Sequence, residues 1–303
     1  MRLVRRLLGL REEVPSWASK FPLESFVRFV VLVRRKLDAG GREYELNEEA
    51  GCFRFTDTPG AEFGLAGLGE KCLYNGGRDW VELISEHVDA IRAISVGGYE
   101  TPVDFASAKP LLRITPASPN TDIDGIVTMK VSASLSFCLV LDYPEYSASV
   151  TSPEFERWGV SEQAAFHEAS ENLWRDGRRE AAEYRSSDSE SVFVVHDMEY
   201  RYVASHALFL NRYMVDEPDD GALLALPNRH TMTFSPIRAT PRSESLRMLA
   251  RLAESGFASG PGPVSPQVFW WRDGSFTGLV VEATHGEARI VGPDSVLGSV
   301  LMP

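Results

Sequence analysis

The chain has 303 residues, 44% of them hydrophobic and 24% charged, with a formal net charge of −12. That composition excludes disordered and fibrous classes and suffices for one large core or two smaller ones. The acidic balance repels phosphate backbones and anionic lipid surfaces, so no nucleic-acid ligand is expected and a basic protein partner or cationic ligand fits better.

Residues 1 to 36 run against this balance, with nine Lys/Arg and three Glu, about +6, leaving about −18 for the rest. The opening MRLVRRLLGLREE has the charge of a signal-peptide n-region but neither its apolar h-region nor a small-residue cleavage site, so a cytoplasmic protein is expected. Two readings of this segment stay open. It is an amphipathic helix docked on the acidic body through Val4, Leu7 and Leu8, or a basic arm that seeks a partner or surface.

The first helical pattern runs from Leu23 to Leu37, with Phe26, Val30 and Val33 at helical spacing before a Gly40-Gly41 stop. Its uninterrupted apolar run, Phe29 to Val33, is matched but not exceeded elsewhere in the chain and is far short of the roughly 20 residues that span a bilayer, so no membrane span is expected. Short strands follow at Arg42 to Leu46 and Cys52 to Thr56. In FGLAGLGEK, Gly64, Gly67 and Gly69 fit no phosphate-binding template and read as turn or strand-edge glycines. A second helix opens at Asp79, with Glu82 completing a capping box and Leu83, Ile84, His87, Val88 and Ile91 as its apolar stripe.

From Gly97 to Gly125 the chain is rich in proline (Pro102, Pro110, Pro116, Pro119), which reads as a connection rather than regular structure. Beyond it, Leu135 to Leu141 is a strand-length apolar run, and a helix from Ser161 carries Phe166, Ala169 and Leu173 before Gly177. Strand candidates follow at Val192 to Val195, Ala222 to Leu226, Thr231 to Phe234, Val268 to Trp271, Gly278 to Ala283 and Ala288 to Val291. Another helix spans Ser243 to Ser255 and stops at Gly256. Irregular alternation of helices with adjacent strands predicts an α+β fold, with mixed or largely antiparallel sheets and packed helices. Two unequal lobes are expected: residues 1–96 with the basic arm, a connection at 97–125, and a larger lobe at 126–303 ending in a β extension.

Several segments occur together in a recognisable order. They are Leu111 to Ile114, Phe137 to Tyr143, Trp158-Gly159-Val160-Ser161 with its helix to Leu173, Asp197 to Ser205, Leu226 to His230, and Val264-Ser265-Pro266 running into Val268 to Gly274. On these, residues 110 to 275 resemble the uncharacterised bacterial domain of unknown function family 1444, the YtpQ-like proteins. The resemblance implies a fold and a boundary; the family brings no established activity and therefore no catalytic residue. His230 stands where family members commonly have Asp, and the tail from Phe276 onward is an extension.

No complete catalytic signature is present. His167-Glu168 with Glu171 supplies half of a zincin helix, but Glu171 occupies the position of the second histidine, so an exposed helix face is expected. His87 lies on an apolar stripe and reads as a core or semi-buried histidine rather than a ligand. Cys52, Cys72 and Cys138 lack metal spacing and read as buried small hydrophobes in a reducing compartment. Glu183, Asp188 and Glu190 read as a solvated acidic loop. No metal or other cofactor is expected.

The candidate site is a polar cleft built from His196, Asp197, Arg229 and His230, because open sheets place ligand-binding groups at strand ends. There Arg229 could grip a carboxylate or phosphate and a histidine exchange protons. The alternative is an Arg229–Asp197 ion pair closing the sheet edge. Trp270 and Trp271 alternate across a strand, so one should enter the core and the other face outward as a candidate interface anchor. The expected function is a non-enzymatic binding or regulatory protein with an acidic surface, an immunity or antitoxin-like role included. The alternative is an enzyme acting on a small anionic substrate. Oligomeric state is left open.

Overall fold

The computed structural model describes residues 13–49, 51–57, 63–74, 79–97, 102–117, 125–143, 147–185, 190–214, 218, 220–238, 243–260, 262–284 and 287–290. The basic segment 1–12, Asp188 and Val291 lie outside them. The chain divides into two compact units, Met1–Glu100 and Thr101–Pro303.

In the first unit, helix α1 (Leu23–Asp38) buries Phe26, Phe29, Val30, Val33 and Leu37, the stripe that the apolar spacing predicts. Gly40 follows because Arg92 donates to the Lys36 and Leu37 carbonyls at 2.6 and 2.9 Å, and a Cβ on Gly40 would lie 1.9 Å from that guanidinium. Strands β1 (Tyr44–Asn47) and β2 (Cys52–Phe55) form an antiparallel hairpin, and β3 (Phe63–Gly64) joins β2. Helices α2 (Ala66–Tyr74) and α3 (Trp80–Gly97) complete the unit.

Two expectations change here. Gly67 and Gly69 lie within α2 rather than in a turn, and a Cβ on Gly69 would approach Phe21 at 3.0 Å, so close packing against that ring accounts for the glycine. Asp79 precedes α3 with φ of +51°, a left-handed conformation instead of the extended backbone of a capping box. Trp17, Phe21, Phe26, Phe29 and Trp80 interlock as edge-on and tilted pairs in this core.

The second unit starts inside the proline-rich stretch. That stretch contains helix α4 (Phe105–Ala108), capped by Asp104, and strand β4 (Leu112–Pro116), with Leu112, Ile114 and Pro116 buried. The expectation of a bare connection fails because prolines there fit regular structure: Pro110 lies in the first turn of the 3-10 helix Lys109–Leu111, and Pro116 is the last residue of β4. β4 pairs with β6 (Ser136–Asp142), as do β5 (Thr128–Lys130) and β7 (Ser147–Ser149). Helix α5 (Ser152–Trp158) opens with a Thr151–Glu154 capping box and closes at Gly159, φ +63°. Helix α6 (Glu162–Arg175) opens at Ser161, whose hydroxyl accepts the Ala164 N–H at 3.2 Å.

The largest sheet contains β8 (Ala181–Arg185), β9 (Ser191–His196), β10 (Ala222–Asn228), β11 (Thr231–Pro236), β12 (Val268–Arg272) and β13 (Ser275–Leu279). Their order is β13-β12-β10-β11-β9-β8, and every pairing is antiparallel. Helix α7 (Ser243–Ser259) covers one face with Leu246, Leu249 and Ala253. It runs through Gly256 rather than stopping there, since a Cβ on Gly256 would sit 2.8 Å from Pro227 Cβ. The other face enters the main core with β4, β6, α6 and a 3-10 segment, Val203–Tyr213. Strands β14 (Val281–Thr284) and β15 (Glu287–Ile290) form a separate hairpin. The molecule is thus α+β with antiparallel sheets. No helix among the described residues is long and apolar enough to cross a membrane.

Candidate functional site

Strands β9 and β11 pair His196 with Thr231, so their ends meet at one corner of the large sheet. The register of β10 on β11 slips by one residue between Ala225 and Asn228, and such a bulge re-aims the side chains beyond it. Asn228 Oδ1 accepts the His230 N–H at 3.0 Å, Arg229 N–H donates to the Gly262 carbonyl at 2.9 Å, and Asp197 N–H donates to the His230 carbonyl at 3.1 Å. His196, Asp197, Arg229 and His230 therefore occupy one place in the fold.

Their polar atoms engage one another and their neighbours. His230 Nδ1 lies 3.1 Å from the Asp197 carbonyl, which can only accept, so Nδ1 carries the proton. Nε2 then accepts from Arg229 Nε–H at 3.1 Å. His230 is 6% exposed, and burial, reinforced by the Arg229 charge, pushes its pKa down to about 4. Asp197 Oδ1 accepts the Glu199 and Tyr200 N–H groups at 2.9 and 3.2 Å. Its Oδ2 faces Arg179 Nε at 3.6 Å, so the closing ion pair uses Arg179 in place of Arg229. The exposed His196 places Nδ1 2.9 Å from Thr231 Oγ1.

A second polar layer continues inward and is invisible in the sequence, because four separate segments supply it. Arg113 of β4 grips Asp176 bidentately at 2.8 and 3.0 Å, and Tyr200 donates to the same carboxylate at 3.2 Å. The Arg179 guanidinium lies 3.9 Å from the Tyr200 ring centroid. Tyr213 hydroxyl meets the fully buried His206 Nδ1 at 2.7 Å and takes the Arg179 N–H at 3.3 Å. His206 Nε2 is buried without a partner, and burial followed by the Arg179 charge holds its pKa down at about 4. Asn172 ties α6 to the backbone through the Lys109 and Leu112 carbonyls.

The other candidates resolve separately. Trp271 is 2% exposed in the core, while Trp270 is half-buried and donates to the Asp220 carbonyl at 2.8 Å. His167 is exposed, with Glu168 held by Lys109 and Arg175. Glu190 corrects the expected solvated loop: it is 6% exposed and accepts the Ser245 N–H at 2.8 Å in the first turn of α7. Cys72 and Cys138 are buried and Cys52 only partly so; none of the three forms a disulfide. His87 is half-buried on α3 with its Nε2 enclosed. Among the described residues, no group of three or more potential metal ligands converges. In the first unit, a cavity of about 560 Å³ is walled by Arg34–Glu48 and Arg54–Glu45 ion pairs, both 2.6 Å. No family model, curated protein or solved structure matches this chain.

Proposed function

We propose that this is a non-enzymatic binding or regulatory protein of the cytoplasm that engages a basic protein partner through the acidic surface of its second unit. The observation that carries this reading is the internal use of the strand-end cluster, where both His230 nitrogens and both Asp197 oxygens face groups of the fold. Recognition is then left to the exterior. Residues 101–303 hold 27 acidic against 17 basic side chains, which places most of the net charge on that unit. Kinship with the YtpQ-like family belongs to the same proposal and rests on the ordered segments from Leu111 to Gly274.

The test is capture of proteins from the native source by the full-length immobilised chain. A specific basic protein should be retained at low ionic strength and released as salt screens the contact. Retention of nothing specific, or retention indifferent to salt, would count against the proposal.

One observation favours a second reading, an enzyme acting on a small anionic substrate: the four candidate residues do converge, and His196 at their rim is exposed. Titration with inorganic phosphate, followed through the His196 ring resonances, checks it. A saturable shift supports a substrate anchor there, and no shift removes it.

A further inference from the structure

The large sheet ends at β8, which hydrogen-bonds to β9 on one side and has no other strand beside it among the described residues. From Ala182 to Arg185 every residue is exposed, so the strand is open on both faces as well as along its edge. Tyr184 is 51% exposed, so its ring is accessible at the centre of the strand. Natural edge strands are commonly blunted by charge, because a charge set against a mismatched strand resists pairing.

The charges on β8 permit one particular partner. Glu183 and Arg185 flank Tyr184 and share a face, since side chains two apart in a strand point the same way. When two copies of this strand pair antiparallel about Tyr184, each Glu183 falls opposite the other copy's Arg185, and the two Tyr184 rings meet across the axis. This holds for either hydrogen-bonding phase of the ladder, because the two-fold axis passes through the Tyr184 pair in both. Among the described residues, the Arg185 side chain makes no hydrogen bond or ion pair, and the Glu183 carboxylate accepts the Ser191 hydroxyl at 2.6 Å through one oxygen. Both side chains lie exposed on the strand. At the opposite edge, β13 (SFTGL) carries no charge and has no such self-complementary order.

We propose that β8 is a self-association edge, through which two copies join their six-stranded sheets into one continuous antiparallel sheet with Glu183–Arg185 pairs on either side of a central Tyr184 contact. This goes beyond recognition of a basic partner and does not depend on it. An edge contact of five residues is small, so the dimer is weak and concentration-dependent.

Sedimentation equilibrium of the full chain tests this. The mass should rise from that of one chain toward that of two between about 1 and 300 µM. Glu183→Arg alone sets Arg against Arg, and Arg185→Glu alone sets Glu against Glu, so each should weaken the dimer roughly tenfold. Combining the two restores opposite charges and should return the affinity to within about threefold of the original. Thermal unfolding of each variant confirms that the exposed strand still folds. A chain that stays monomeric over that range overturns the proposal. So does a dimer unmoved by the single substitutions, or one not restored by the charge exchange.

Discussion

Arg229 and His230 adjoin in sequence and bond in space: the Arg229 Nε–H donates to His230 Nε2 at 3.1 Å, while Nδ1 of the same ring faces the Asp197 carbonyl. A second proton on this imidazole would point an N–H at a guanidinium. Burial first and the Arg229 charge second hold His230 neutral, and its two bonds tie the β10–β11 turn to the end of β9. His206, deeper in the same unit, is neutral for a related reason, with burial as the main cause and Arg179 nearby.

Acid should loosen the second unit through these two rings. Both have folded pKa values near 4 against 6.5 when unfolded, so between those limits the unfolded chain binds protons that the folded chain does not. Their contribution makes stability fall as pH drops from about 6.5 to about 4, by roughly 1 to 3 kcal/mol per histidine, and level off outside that window. Urea unfolding across pH measures the slope. His206→Phe should reduce it by about half, leaving the His230 part, at a cost near neutrality of about 1 to 2 kcal/mol because the Tyr213 hydroxyl loses its acceptor. An unchanged slope would show that His206 is not one of the titrating groups.

Arg113 and Asp176 hold β4 against the end of α6, both largely shielded from water. Arg113→Ala leaves the carboxylate with the Tyr200 hydroxyl as its remaining side-chain donor and should cost about 2 to 4 kcal/mol in chemical denaturation. Arg113→Lys should recover only part of this, because an ammonium cannot span both oxygens. Full recovery would mean that charge, not the bidentate fork, is what matters.

Gly256 offers a test of opposite sign to helix propensity. Alanine in place of glycine inside a helix ordinarily stabilises by about 1 kcal/mol. Here the added Cβ would sit 2.8 Å from Pro227 and force α7 away from β10, so Gly256→Ala should destabilise by about 1 to 2 kcal/mol. Stabilisation in thermal unfolding would place the helix farther from the strand than the structure has it.

Glu190 accepts the Ser245 N–H at the start of α7 from a buried position. Glu190→Ala should therefore cost about 1 to 2 kcal/mol and raise amide exchange across the first turn of that helix. Exchange unchanged there would reduce Glu190 to a packing role.

What the sequence shows and what it hides follow one physical division. Periodic burial is local, so α1 and β6 can be read from Phe26, Val30 and Val33 and from the run ending at Leu141. Glycines mislead, because Gly69 reads as a turn or strand-edge residue and Gly256 as a stop, yet they serve close approaches to Phe21 and Pro227, elements distant in the chain. The strand-end residues His196 and His230 are legible because each borders an apolar strand. Arg113, Asp176, Tyr200, His206 and Tyr213 carry no local pattern, and only tertiary pairing brings them together.

The central claim is that the strand-end cluster is closed on itself. Nitrogen-detected NMR of the His230 ring between pH 8 and pH 4 tests it most directly. The structure requires the neutral Nδ1–H form throughout the neutral range, with protonation beginning only as pH approaches about 4. A ring in the Nε2–H form, or one that titrates near 6.5, would contradict the claim and leave His230 free for proton transfer.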